Sequence, residues 1–190
     1  MRKVIVSTYM TLDGVMTLDG DMGQKWHFPY WNDELGKYAV DQLFASDALL
    51  LGRRTYEIFA ASWPSVTDEQ GFADRMNSLP KYVVSTTLEK AEWNNSTIIK
   101  GNVAEEVSKL KQQPGQAILM YGSAELMHML MHHGLIDEFR LWVHPVVLGS
   151  GKRLFQDGSD TTVLTPMGTT TFTTGVTILS YQLASKPAES

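Results

Sequence analysis

Ala48-Leu49-Leu50-Leu51-Gly52-Arg53-Arg54-Thr55-Tyr56-Glu57-Ile58-Phe59 is the stretch on which the fold turns. Its opening apolar run suits a strand buried on both faces, and Gly52 interrupts it. From Arg53 onward a short helix is predicted, closed by Trp63-Pro64 because proline cannot continue it. The sequence thus reads strand, glycine, helix.

The middle of the chain repeats that alternation. A helix is predicted over 70–78 with Phe72, Met76 and Leu79 inward, followed by a strand at Tyr82-Val83-Val84 with Ser85-Thr86-Thr87 at its exit. Thr97-Ile98-Ile99 suggests a further strand, and Val103, Val107 and Leu110 recur at helical spacing until Pro114-Gly115 stops them. Residues 117–121 form another strand, which enters Gly122-Ser123 and a helix carrying Leu126, Met127, Leu130 and Met131. Gly134 is placed to end that helix in a left-handed conformation. Crossovers of this length favour parallel neighbours over an all-antiparallel barrel.

Toward the N-terminus, Val4-Ile5-Val6-Ser7-Thr8-Tyr9 reads as a buried strand, with turns at Asp13-Gly14 and Asp19-Gly20-Asp21. Thr11-Leu12-Asp13-Gly14 recurs as Thr17-Leu18-Asp19-Gly20, which suits a hairpin or irregular loop better than a repeat fold. Trp26, Phe28, Tyr30 and Trp31 make an aromatic loop before a helix that Asn32 or Asp33 can cap, with Leu35, Ala39 and Leu43 on one apolar track and Val40 and Phe44 on an adjacent one.

Toward the C-terminus, 139–147 is a long strand that Pro145 marks as an edge, bulge or end. After the Gly149-Ser150-Gly151 bend, Leu154 and Phe155 are expected to pack locally. Residues 161–165 and 172–183 suggest a terminal β arrangement, with Leu179, Tyr181 and Leu183 alternating against Ser180 and Gln182. We expect one domain over 1–185 and a tail at 186–190.

In a chain of 190 residues, 16 Lys and Arg stand against 21 Asp and Glu, a net charge of −5, and 43% of residues are hydrophobic. That balance argues against whole-surface attraction to nucleic acid or anionic lipid. Without cysteine there is no disulfide framework, cysteine nucleophile or thiolate metal cluster. No apolar run approaches the roughly 20 residues needed to span a bilayer, and the opening segment is too short for a signal peptide, so a cytoplasmic protein is expected.

Three strand exits offer chemistry. Gly52 lets backbone approach a ligand, while the amides of the following helix start, Thr55 and an arginine can receive a phosphate. A tight loop with two solvated arginines is the plainer reading of the same residues. Gly122-Ser123 repeats the geometry, although a Gly-Ser bend also serves simply to start a helix. It is neither the full Rossmann fingerprint nor a P-loop. The hydroxyls of Ser85, Thr86 and Thr87 can meet a ribose or phosphate, or cap an ordinary turn. His128, His132 and His133 lack the glutamate pattern of a zinc hydrolase, so no metal site is expected.

Taken in order, these pieces resemble a known family. Leu51-Gly52-Arg53-Arg54-Thr55-Tyr56-Glu57 resembles the phosphate-binding turn of the dihydrofolate reductase superfamily, and Val83-Val84-Ser85-Thr86 its adenosine-side strand exit. Tyr121-Gly122-Ser123-Ala124-Glu125-Leu126 resembles the second nucleotide turn, and Leu135-Ile136-Asp137-Glu138-Phe139-Arg140-Leu141 the acidic strand entrance that follows. Pro145-Val146-Val147-Leu148-Gly149-Ser150-Gly151 with Leu154-Phe155 makes the nearer match one to bacterial proteins related to the riboflavin-pathway pyrimidine reductase domain.

The resemblance implies a dihydrofolate reductase-like α/β fold of three layers, α/β/α, with a mostly parallel central sheet and a C-terminal antiparallel segment. It also implies a reductase of a planar nitrogen heterocycle, pyrimidine- or pterin-like, or of a related carbonyl or imine. Gly52, Arg53, Arg54 and Thr55 would border cofactor phosphates, Ser85 and Thr86 the adenosine end, and Gly122 and Ser123 the pyrophosphate. Two arginines favour NADPH over NADH, since a 2′-phosphate rewards bidentate donors. The family's paired glycine is here Gly122-Ser123, a departure that adds a side chain to the turn. Trp26, Phe28 and Trp31 would wall the substrate, with Asp13 or Asp33 binding ring nitrogens or managing a proton. The expected carboxylate of the first helix is not singled out among Asp33, Glu34 and Asp41. A homodimer is implied. A nucleotide-binding regulatory protein without catalysis and a flavin- or pterin-binding module remain alternatives.

Overall fold

The computed structural model describes residues 1–17, 25–155 and 161–184. The Asp19-Gly20-Asp21 turn, most of the second Thr-Leu-Asp-Gly copy and the tail at 186–190 lie outside the described residues.

The strand that opens the chain, β1 (Val4–Thr11), is followed by a short β2 (Val15–Thr17), a 3-10 turn at Lys25–Tyr30 and helix α1 (Asp33–Phe44). Asn32 rather than Asp33 caps this helix, its side chain accepting the Leu35 amide at 3.1 Å. Next come β3 (Ser46–Gly52), α2 (Arg53–Ser62), α3 (Phe72–Ser78), β4 (Lys81–Val84) and β5 (Ser96–Ile99). The sequence continues through α4 (Val103–Gln112), β6 (Ala117–Tyr121), α5 (Ala124–His132), β7 (Glu138–His144) and β8 (Lys152–Arg153). It ends on the hairpin β9 (Leu164–Thr171) and β10 (Thr177–Leu183).

Eight of the strands form one sheet in the order β5-β4-β3-β6-β1-β7-β10-β9. From β5 to β7 every pairing is parallel, and β10 and β9 close the sheet in antiparallel fashion. The expected fold class is the observed one: parallel strands joined by helical crossovers, with two antiparallel strands at the end.

Helices shield both faces of the sheet, as the all-apolar reading of Leu49-Leu50-Leu51 demands. Val4, Val6, Leu50, Ile118, Met120 and Phe139 point to the side holding α4 and α5, whereas Ile5, Leu49, Leu51, Leu119 and Val83 pack toward α2 and α3. Leu35 and Ala39 of α1 meet Trp142 and Ile178 in a third cluster. Trp142 therefore faces the core, with its indole N–H donating to Ser7 Oγ at 2.9 Å. Gly134, at φ 64°, ends α5 in the left-handed conformation expected of it.

Three expectations are corrected. Phe44 does not join the apolar track of α1; it is exposed, with the Arg75 guanidinium 5.7 Å from its ring centre. Phe155 is likewise exposed while Leu154 alone is buried. Residues 161–163 and 172–176 are not strand: β9 runs through Pro166 and Gly168, and the hairpin turns at Gly175, φ 85°. Pro166 is tolerated because β9 is an edge strand and the β9–β10 register shifts beside it.

Candidate functional site

The strand order contains a topological switch point. From β3 the chain crosses outward to β4, whereas from its neighbour β6 it crosses the other way, over β1 to β7. The two connections diverge and leave a crevice at the carboxyl ends of β3 and β6, the place where open α/β sheets take their ligands. Gly52-Arg53 ends one strand and Tyr121-Gly122-Ser123 the other.

The two turns meet. A Cβ added to Gly52 would sit 2.5 Å from Ser123 Oγ and 2.7 Å from Ser123 Cβ, and one added to Gly122 would reach Thr55 Oγ1 at 3.5 Å. Both helices that leave the crevice, α2 after Gly52 and α5 after Ser123, begin without a side-chain cap. Their first amides lack intrahelical partners and carry the positive ends of two helix dipoles. Ser123 occupies the cap position of α5 yet does not cap it, because at φ 57° its side chain is turned toward Gly52. Paired amides without caps, beside glycine, fit the diphosphate of a dinucleotide.

The arginines sit on the rim. Arg53 is exposed, donates from Nη1 to Thr87 Oγ1 at 3.0 Å and lies 3.7 Å from Glu57, while Arg54 is exposed and interacts electrostatically with Glu125. Arg53 thus ties the β3 exit to the β4 exit. Of the two roles open to it, Ser85 takes the turn-building one: its buried hydroxyl accepts the amides of Thr87 at 3.2 Å and Leu88 at 2.9 Å. Thr86 is exposed at that same exit, and Thr87, the third hydroxyl of the exit, is the one that meets Arg53. Two shallow surface hollows among the described residues, one beside Ala60 and Trp93 and one between Thr97 and Leu110, border neither glycine turn.

Asp13 is a clamp. Its carboxylate accepts from Thr11 Oγ1 at 2.5 Å, the Leu148 amide at 3.3 Å and the Gly149 amide at 2.9 Å, and these bonds, the Thr11 hydroxyl first, hold its pKa down to about 2. So committed, the Asp13 carboxylate stays ionised at neutral pH and joins the 11–14 turn to the loop at 148–149. Asp33 is exposed on the first turn of α1. Glu34 is bound by the Thr173 amide and hydroxyl, and Asp41 pairs with Lys37.

The aromatic segment divides. Phe28 is 60% and Trp31 46% exposed, whereas Trp26 lies inward, its ring 5.0 Å from His144. His144, at the end of β7, is the hub that the sequence did not reveal. It is 3% exposed, with Tyr9 at 5.5 Å, Tyr30 at 5.7 Å and Nδ1 2.9 Å from the Trp142 carbonyl oxygen. Burial lowers its pKa below that of a free imidazole. The sign follows: as pH falls below about 6.5 the unfolded chain takes up a proton that the native site refuses, so stability falls toward the native pKa. Thermal melts from pH 7 to 5 should show a steeper loss for the wild type than for His144→Phe. Parallel curves would contradict this.

Among the described residues no group of three or more His, Asp or Glu side chains is placed to hold a metal ion, and His132 and His133 meet only ring to ring at 5.5 Å. No helix is long and apolar enough to cross a membrane among the same residues.

The sheet order, its switch point and the paired glycine turns define an α/β domain of the dihydrofolate reductase type. The chain belongs to the RibD C-terminal domain family, which it matches over residues 2–178. It is 36% identical over 184 residues to YyaP of Bacillus subtilis strain 168, covering 95% of this chain and 94% of that one. The fold is shared with dihydrofolate reductase from Enterococcus faecalis complexed with NADP(H), at TM-score 0.63, 14% identity and coverage of 96% and 97%. It is also shared with the Thermotoga maritima diaminohydroxyphosphoribosylaminopyrimidine deaminase/5-amino-6-(5-phosphoribosylamino)uracil reductase, at TM-score 0.66 and 16% identity, covering 96% of this chain and 57% of that one.

Proposed function

We propose that this protein is an NADPH-dependent reductase of a planar nitrogen heterocycle, pyrimidine- or pterin-like, or of a related carbonyl or imine. The observation that carries the reading is the meeting of Gly52 and Gly122-Ser123 at the switch point, where two uncapped helices open onto one crevice. Membership of the RibD C-terminal domain family supports the reaction class.

When bound, the nicotinamide ring supplies hydride. The amides that begin α2 and α5 hold the diphosphate, with the Thr55 hydroxyl beside Gly122. Arg53 and Arg54 receive the 2′-phosphate, and Thr86 borders the adenosine end. Tyr9, Trp26 and His144 wall the substrate side, with Phe28 and Trp31 at its mouth. Of the carboxylates early in α1, Asp33 is the one not committed to Thr173 or Lys37, so its carboxylate handles the proton at the substrate's ring nitrogen.

Coenzyme choice is the direct test. Losing a charge-assisted phosphate contact costs about 1.5–3 kcal/mol, so Arg53→Ala and Arg54→Ala should each weaken NADPH roughly 10- to 100-fold in a fluorescence titration and leave NADH nearly unchanged. Equal losses for both coenzymes would remove the arginines as the source of preference. NADPH oxidation followed at 340 nm with pyrimidine and pterin acceptors tests catalysis, and saturable binding without turnover on any of them would favour a regulatory protein.

A further inference from the structure

Tyr121 is the last residue of β6 and stands directly before Gly122, at the switch-point crevice. Register sets it beside Ser7 of β1, so it rises from the same sheet face as Tyr9, two residues further along β1. On that face it lies between two helices. Its ring is 5.7 Å from Phe59 of α2, and the Gln42 side chain of α1 is close enough to its hydroxyl to bear on its ionisation, though outside hydrogen-bonding geometry.

Both residues break the apolar pattern around them. Gln42 shares the buried side of α1 with Leu35, Ala39 and Leu43, at 4% exposure, and Tyr121 follows the fully buried Ile118-Leu119-Met120. The core-facing stripe of a helix is ordinarily apolar. Gln42 Oε1 and the Tyr121 hydroxyl are both buried, and neither has a hydrogen-bond partner among the described residues. Unpartnered polar atoms in such places cost stability and call for a reason.

Burial raises the pKa of both Tyr9 and Tyr121, yet both rings keep some exposure. That combination belongs to the wall of a deep cleft rather than to a core. Tyr9 lies within electrostatic reach of the Tyr121 hydroxyl and meets Trp142 at 5.2 Å and His144 at 5.5 Å, edge to face. The cleft therefore runs from Gln42 and Tyr121 to the aromatic wall around His144.

We propose that Gln42 and Tyr121 determine substrate specificity, Gln42 Oε1 accepting a ring N–H and the Tyr121 hydroxyl donating to the ring carbonyl oxygen beside it. The inference rests on the reading of this cleft as the substrate side, and it narrows the substrate to a ring with an N–H next to a C=O. One acceptor and one donor held side by side match that edge. A ring whose nitrogen carries an alkyl group instead leaves the Gln42 oxygen buried and unpaired, which is how a polar site rejects an analogue.

Calorimetric titration of the full chain with 5,6-diaminouracil and with 5,6-diamino-1,3-dimethyluracil, each with and without NADPH, tests this. The second ring keeps both carbonyls and has no ring N–H. The wild type should bind the first at least tenfold more tightly, and Tyr121→Phe and Gln42→Met should each weaken the first roughly 10- to 100-fold. With Gln42→Met the two rings should bind within about threefold of each other, because the discriminating acceptor is gone. Each variant removes an atom that has no partner, so its melting temperature without ligand should equal or exceed that of the wild type. A pair that only holds a buried water would instead lower the melting temperature and leave ring affinity unchanged. That result, a variant that weakens both rings equally, or a wild type that binds neither ring would overturn the proposal. Ring binding as expected in a protein that does not bind NADPH would remove the coenzyme reading and leave the pair standing, whereas variants with wild-type affinity for both NADPH and the first ring would remove the pair alone.

Discussion

Gly52→Ala is expected to lose saturable NADPH binding and to melt below the wild type, and addition of Ser123→Gly is expected to restore both. Gly52 sits at φ −75° and ψ 159°, a conformation alanine adopts freely, so the glycine is there for space alone. The space is the 2.5–2.7 Å separating a Cβ from the Ser123 side chain, less than two heavy atoms can share. Overpacking of this kind costs about 1–3 kcal/mol, on the order of 3–10 °C for a chain of this size. Relief requires the β3 and β6 turns to part, which moves the amides of α2 and α5 off a common diphosphate. Ser123→Gly alone should instead stabilise the protein by about 1 kcal/mol, because a serine at φ 57° is strained where glycine is not. Calorimetry and a coenzyme titration on the single and double variants check the whole cycle. An alanine variant with wild-type affinity would dissolve the argument that the two turns form one site.

The alternation of strand and helix was legible because each element announces itself locally: Leu49-Leu50-Leu51 as a doubly buried strand, Asn32 as a cap, Gly134 as a stop. Which strand ends lie side by side is not local, and the family resemblance rather than periodicity brought Gly52 and Gly122 together. Asp13 was available for catalysis only while the amides of Leu148 and Gly149 were out of view, and those lie 135 and 136 residues further along the chain. Ser85 stayed open between turn and ligand because a turn-building serine and a ligand-binding one have the same spelling. His144 gave no warning, since its four aromatic neighbours come from β1 and from the 3-10 turn. β9 continues through Pro166 and Gly168, past the expected end at 165, because an edge strand accommodates both.

Lys81 is hidden for another reason: its partners Asn77, Leu79 and Asn94 are close by in sequence but its burial is not written there, and its replacement should cost more stability than any other change named here. A lysine opening a strand reads as a solvated end, yet this one is fully buried. Its ammonium donates to the carbonyl oxygens of Asn77 at 2.8 Å, Leu79 at 2.8 Å and Asn94 at 3.0 Å, and lies 4.3 Å from the centre of the Trp93 ring. Three donors meet three acceptors, closing the end of α3 onto the loop before β5. Lys81→Met keeps the stem but strands all three carbonyls, so chemical denaturation should show a loss of about 3–5 kcal/mol. Because β4 leads to the exit where Thr87 receives Arg53, the loosened strand should also weaken NADPH. Burial pushes the Lys81 pKa down to about 8, which still leaves it charged at neutral pH beside its carbonyls. Between pH 8 and 10.5 the unfolded chain keeps a proton that the native protein releases, so the wild type gains on Lys81→Met as pH rises through that window. A variant within about 1 kcal/mol of the wild type at pH 7 would mean that water reaches those carbonyls and that the ammonium is not what joins α3 to β4.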